Sequence, residues 1–160
     1  MRPVGTLGLK LAALAAVAVV GGGWFTYVNL WRDAGSRPLR YHDLTAQLHV
    51  EPTLGFARRL RSRAQLADYV RRNSIGGALP PRIDFTRNEA LLVAAGPRSS
   101  TGYALRVVAA AEERGRIVVT VREDAPTLRN PGRPRLSYPY RLLVFPRTQK
   151  PVYVRWLGRP

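Results

Sequence analysis

Residues 11–31, LAALAAVAVVGGGWFTYVNLW, contain no charged side chain. A helix of that length rises about 30 Å, the thickness of a bilayer's hydrocarbon core. Trp24, Tyr27 and Trp31 gather at its far end, where amphipathic rings sit at the headgroup level. The pattern predicts a single transmembrane helix from about Leu9 to Trp31, preceded by Arg2 and Lys10. A cleaved signal has a shorter apolar run and then a small-x-small site in a polar stretch. Ala16-Val17-Ala18 lies inside the run instead, so an uncleaved signal anchor is expected over residues 1–31. The next segment, RDAGSRPLR at 32–40, reads as a juxtamembrane linker.

The periodicity then changes. Ser62 can cap a helix, and Gln65 can complete a capping box. Leu66, Tyr69 and Val70 give the helical spacing, and Asn73 with Gly76-Gly77 ends it. Ile83 and Phe85 alternate with Asp84 and Thr86, which predicts a strand. Residues 90–95, ALLVAA, form an apolar run short enough for a buried strand. Tyr103, Leu105, Val107 and Ala109 alternate on one phase, and Ile117, Val119 and Val121 on another. Between them Gly115 can supply the positive φ of a hairpin turn. A proline-rich loop follows over residues 124–139, then strands at 140–145 and 152–157. About six or seven strands and one helix predict a mainly β domain, a small sandwich or open barrel, over residues 41–160.

Composition narrows the chemistry. The 160 residues include no cysteine, which excludes disulfides, thiolate zinc sites and thiol nucleophiles. The formal net charge is +16, and Lys10 and Lys150 are the only lysines among 26 basic residues. Such an excess of arginine suits an anionic partner, a nucleic acid or lipid headgroups, or reflects arginine spread over the whole surface. Charge does not orient the membrane helix: Arg2 and Lys10 precede it, and Arg32, Arg37 and Arg40 follow it.

No catalytic set assembles. Ser99, Ser100 and Thr101 supply hydroxyls, but a serine nucleophile needs a base and a group to orient that base. The only histidines, His42 and His49, lie about fifty residues upstream, without the spacing that would bring them together on a metal. Glu112-Glu113 and Glu123-Asp124 are sequence neighbours, which point apart on a strand or into solvent in a turn. Gly76-Gly77 has no following Lys-Ser or Lys-Thr, so it is no phosphate loop. The expectation is a non-enzyme with no cofactor, no metal and no small-molecule substrate. Arg129, Arg133 and Arg135 in the proline loop are candidate contacts to an anionic surface. The aromatics Phe85, Tyr103 and Phe145 fall on apolar strand phases rather than interleaving with arginines, which disfavours nucleic acid.

Pro81-Arg82-Ile83-Asp84-Phe85-Thr86, residues 90–96, and Arg98-Ser99-Ser100-Thr101-Gly102-Tyr103 together resemble the C-terminal domain of the PrcB protease-complex subunit family. Pro126 and Pro139-Tyr140 stand at matching places, and the likeness runs over roughly residues 50–157. The family pattern often has glycine or serine where this chain has Thr101. The resemblance implies a non-catalytic, extracytoplasmic domain that associates with and stabilises a partner protein, a secreted protease in the founding case. It orients the expected anchor, placing residues 32–160 outside in a single-pass cell-membrane protein. It also directs attention to Ser99, Ser100, Thr101, Gly102 and Tyr103 as partner-binding residues. The same stretch is similar to the Thr-Gly-Tyr loop of chagasin-type cysteine-protease inhibitors, although Leu105 stands near where those carry tryptophan. Protease inhibition is therefore the alternative, and binding of anionic lipid or nucleic acid the further one.

Overall fold

The structure, a computed structural model, describes residues 36–74, 76–129 and 131–158. The strands are β1 (Ser36–Pro38), β2 (His42–Asp43), β3 (Phe56–Leu60), β4 (Asn88–Ala94), β5 (Ala104–Glu113), β6 (Arg116–Asp124), β7 (Tyr140–Pro146) and β8 (Val152–Leu157). One helix, α1 (Arg63–Asn73), lies between β3 and β4. The strands form two four-stranded sheets, in the orders β1-β5-β6-β8 and β2-β7-β4-β3. The pairs β2–β7, β3–β4, β4–β7 and β5–β6 are antiparallel, and β6 with β8 is parallel. The chain thus leaves the first sheet after β6, passes through β7 in the second, and returns to lay β8 beside β6.

The run in β4 is apolar on both phases because the strand is covered on both faces. Ala90 and Leu92, with Leu142 and Val144 of β7, pack against Leu66, Tyr69 and Val70 of α1. Leu91 and Val93, with Leu143 and Phe145, meet Leu105, Ile117, Val119 and Val121 of the other sheet. Two cores therefore share one central pair of strands. Burying a leucine or phenylalanine contributes roughly 1.5–3 kcal/mol, and β4 and β7 supply such side chains to both cores.

Helix α1 begins as its cap predicts, with Ser62 Oγ accepting from Gln65 N at 3.2 Å. Gln65 Oε1 reaches back one residue further than a capping box requires, accepting from Arg61 N at 2.7 Å. At the β5–β6 turn Arg114 and Gly115 both have positive φ, 46° and 79°. Two such residues in succession match the right-handed twist of a two-residue hairpin.

The expected fold class is corrected in one respect. Among the described residues no helix is long and apolar enough to cross a membrane. Helix α1 has 11 residues, about 16 Å, and its apolar stripe is spent on the domain core. The preceding transmembrane helix is accordingly dropped from the fold. Residues 11–31, on which that expectation fell, lie outside the described residues.

Three local differences have physical causes. The alternation at 83–86 makes a turn rather than a strand: Asp84 Oδ1 accepts from Thr86 N and from Thr86 Oγ1, at 3.0 and 2.5 Å. Ile83 and Phe85 anchor that turn against the helix-side core. In β5 the register shifts between Val107 and Ala109, so a bulge reverses the phase. Leu105 and Val107 face inward before it and Ala110 after it, and Val108 is pushed outward at 48% exposure. Strand β3, with its arginines, gave no apolar alternation; β1 falls within the stretch read as a linker.

Candidate functional site

Two chain segments meet at one end of the sandwich, the β4–β5 turn and the β6–β7 loop. Ala95 N donates to Pro139 O at 2.9 Å as β4 ends. Arg98 and Ser137 then exchange backbone bonds of 2.8 and 2.9 Å, an isolated antiparallel bridge. Thr101 N donates to Arg133 O at 3.1 Å, and Arg133 N returns a bond to Thr101 Oγ1 at 2.9 Å. Ser100 Oγ accepts from Gly102 N at 3.1 Å and donates to Pro131 O at 3.3 Å. Ser137 Oγ donates to Ser100 O at 2.6 Å. The β4–β5 turn is thus the floor on which the proline loop rests.

Packing explains why small residues stand at the contact. A Cβ built on Gly132, whose φ is +67°, would lie 2.3 Å from Gly102 N and 2.5 Å from Ser100 Oγ. A Cβ on Gly102 would lie 3.0 Å from Pro126 Cβ and Cγ. Both limbs of the loop therefore converge on Gly102, and Thr127, Leu128 and Arg129 between them are exposed.

Beneath the turn, Arg98 grips Glu123 with two bonds, Nε to Oε1 at 2.5 Å and Nη2 to Oε2 at 2.8 Å. The Glu123 side chain is 3% exposed. These hydrogen bonds, opposed in part by burial, push the Arg98 pKa above the ordinary arginine value. The Arg98 guanidinium also lies 5.9 Å from the Tyr103 ring centre. Tyr103 is half-buried, its ring against this pair rather than free in solvent.

The five turn residues named from sequence thus have distinct positions. Ser99 and Thr101 are exposed, Ser100, Gly102 and Tyr103 partly covered, and the loop bonds engage Ser100, Thr101 and Gly102. Arg129, Arg133 and Arg135 are exposed on the loop above them. Among the described residues none of these three side chains has an ion-pair partner. The structure therefore brings both sets into one feature. It also adds two residues that sequence reading passed over, Leu128 at 103% exposure and Leu136 at 56%. Their only sequence signal is an aliphatic side chain in a proline-rich stretch with no apolar period.

Ser100 Oγ and Thr101 Oγ1 bond backbone atoms, and among the described residues neither is hydrogen-bonded to a His, Asp or Glu side chain that could take a proton. Elsewhere, a shallow groove of about 250 Å³ runs between β3 and α1, lined by Leu54, Phe56, Arg58 and Tyr69 among others. Arg58 stacks over Phe56 and Tyr69, at 5.5 and 6.0 Å from the ring centres. Among the described residues no group of three or more His, Asp or Glu gathers as a metal site would require.

The PrcB C-terminal family model matches residues 90–146, a little over a third of the chain. The matched segment begins on β4 and ends with β7, so it contains the whole β4–β5 turn and the whole proline loop. The family is one of accessory rather than catalytic domains, and the match points to an accessory role associated with a protease complex. No curated protein and no solved structure matches the chain.

Proposed function

We propose that this domain is a non-enzymatic binding module that holds and stabilises a partner protein, a protease being the class the family match favours. The observation that supports it is the coincidence of that match with the segment carrying the turn and the loop seated on it. An accessory subunit needs a surface ordered before its partner arrives, since ordering a loop during association lowers affinity. The bonds from Ser100, Thr101 and Ser137 provide that order. In this reading residues 99–103 set the height and angle of the loop, with exposed Ser99 and Thr101 at the rim of the contact. The compartment we propose is extracytoplasmic, on the strength of the family likeness.

The inhibitor alternative requires residues 99–103 to enter a protease cleft. With Ser100 and Thr101 bonded into the proline loop, it gains no support from the geometry. The test is gentle isolation of the full tagged chain from its own cells, produced at native level, followed by mass measurement of the native species. The expected result is a stoichiometric complex with a second protein whose decay quickens severalfold when this chain is deleted. Recovery of the chain always alone would overturn the proposal. Loss of protease activity on adding the chain would favour the inhibitor instead.

A further inference from the structure

Outside the proline loop, half of the described arginines have an ion-pair partner, Arg59 and Arg61 sharing Glu89. Arg71 and Arg72 pair with Asp68, Arg98 with Glu123, Arg106 and Arg122 with Asp124, Arg141 with Asp43, and Arg155 with Glu113. In the loop none of the three arginines does: no Asp or Glu follows Asp124 in the sequence, and among the described residues Arg129, Arg133 and Arg135 stand exposed without a carboxylate partner. Leu128 and Leu136 are exposed on the same loop. A single exposed leucine needs no explanation. Two of them among three uncompensated guanidiniums, on a loop both of whose limbs are fixed on Gly102, make a surface with a definite chemical complement.

We propose that the β6–β7 loop binds an extended segment of a partner protein in which carboxylates are interspersed with aliphatic side chains. The carboxylates take bidentate bonds from Arg129, Arg133 and Arg135, and the aliphatic groups cover Leu128 and Leu136. Phosphate would also satisfy the arginines. A single-stranded nucleic acid, however, needs exposed rings on which to stack, and the loop offers aliphatic side chains instead. This inference rests on the partner-binding reading above and specifies its chemistry.

The test uses the full chain and a short fluorescent peptide of alternating aspartate and leucine, read by anisotropy at physiological salt. Comparators are the same peptide with asparagine for aspartate, an oligoglutamate, an oligothymidylate, and phosphatidylglycerol-containing vesicles. The aspartate–leucine peptide is expected to bind tightest. L128A and the double variant R129A/R133A should each weaken it by roughly tenfold, and neither touches a buried residue. Absence of binding, indifference to L128A, or tighter binding of the oligonucleotide or vesicles would overturn the inference. If the peptide fails while the intact chain still isolates with a partner, the partner-binding reading survives and only this specification of it falls.

Discussion

The Arg59 guanidinium holds both oxygens of Glu89, Nε to Oε2 at 2.9 Å and Nη2 to Oε1 at 2.6 Å. Glu89 is completely buried, and Arg59 also donates to the carbonyls of Thr148 and Lys150, at 2.5 and 2.9 Å. One side chain on the edge strand β3 thereby fixes the crossover that carries the chain from β7 to β8. That crossover leads into β8, which lies parallel to β6, so the pair ties the start of β8 to the edge of the second sheet.

Removing one member should be costly. E89A leaves the largely covered Arg59 and its neighbour Arg61 without their shared carboxylate, and a loss of about 3 kcal/mol is expected. The double change R59M/E89M should recover a large part of it, because an apolar pair of similar volume needs no desolvation. Urea midpoints of the three proteins check this. A double variant as unstable as E89A would show that the carbonyl bonds of Arg59 matter more than the pair.

Tyr69 is 4% exposed, and its hydroxyl is buried without a hydrogen-bond partner. Burial raises its pKa to about 12, against the opposing charge of Arg58. A raised folded-state value means the fold prefers the protonated phenol. The associated stability is complete below about pH 10 and is lost as pH rises through about 12. The loss amounts to roughly 2–3 kcal/mol. Y69F should raise stability at neutral pH by about 1 kcal/mol, since it removes an unsatisfied hydroxyl. It should also flatten the alkaline slope, leaving the part due to Tyr140, whose pKa burial also raises. A destabilised Y69F with an unchanged slope would contradict this.

Gly132 tests the seating of the proline loop. An added methyl would collide with Gly102 N and Ser100 Oγ, both within 2.5 Å. G132A should lift the loop, and faster amide exchange is expected at Thr101, Gly102 and Arg133. The two cores lie elsewhere, so global stability should fall by no more than about 1–2 kcal/mol. Hydrogen exchange with mass detection reads both. Unchanged exchange at those amides would mean the loop is not held by this contact.

The parts of the fold legible in the sequence are those in which one local interaction dominates. Helix α1 announces itself through Ser62 and its apolar stripe, and β4 through an apolar run that only a doubly covered strand would carry. Strand β3 is hidden because Arg59, at an inward position, is neutralised by Glu89 thirty residues away in the chain. The bulge after Val107 is hidden because alanines at 109–111 suit either face. At the candidate site the turn and the arginines were each visible, but not their union. That depends on Gly132 meeting Gly102, a long-range fit that no local spacing encodes, and the exposure of Leu128 follows from it.

The most direct measurement places a photoreactive amino acid at position 128 in the full chain, produced at native level in its own cells. A second protein carries the same residue at Tyr153, which is 54% exposed on the outer face of the first sheet. After irradiation, position 128 should yield one adduct of defined mass that is absent from position 153 and is lost when G132A is added. No adduct at 128, or the same adducts from both positions, would contradict the claim that the seated proline loop is where this domain meets its partner.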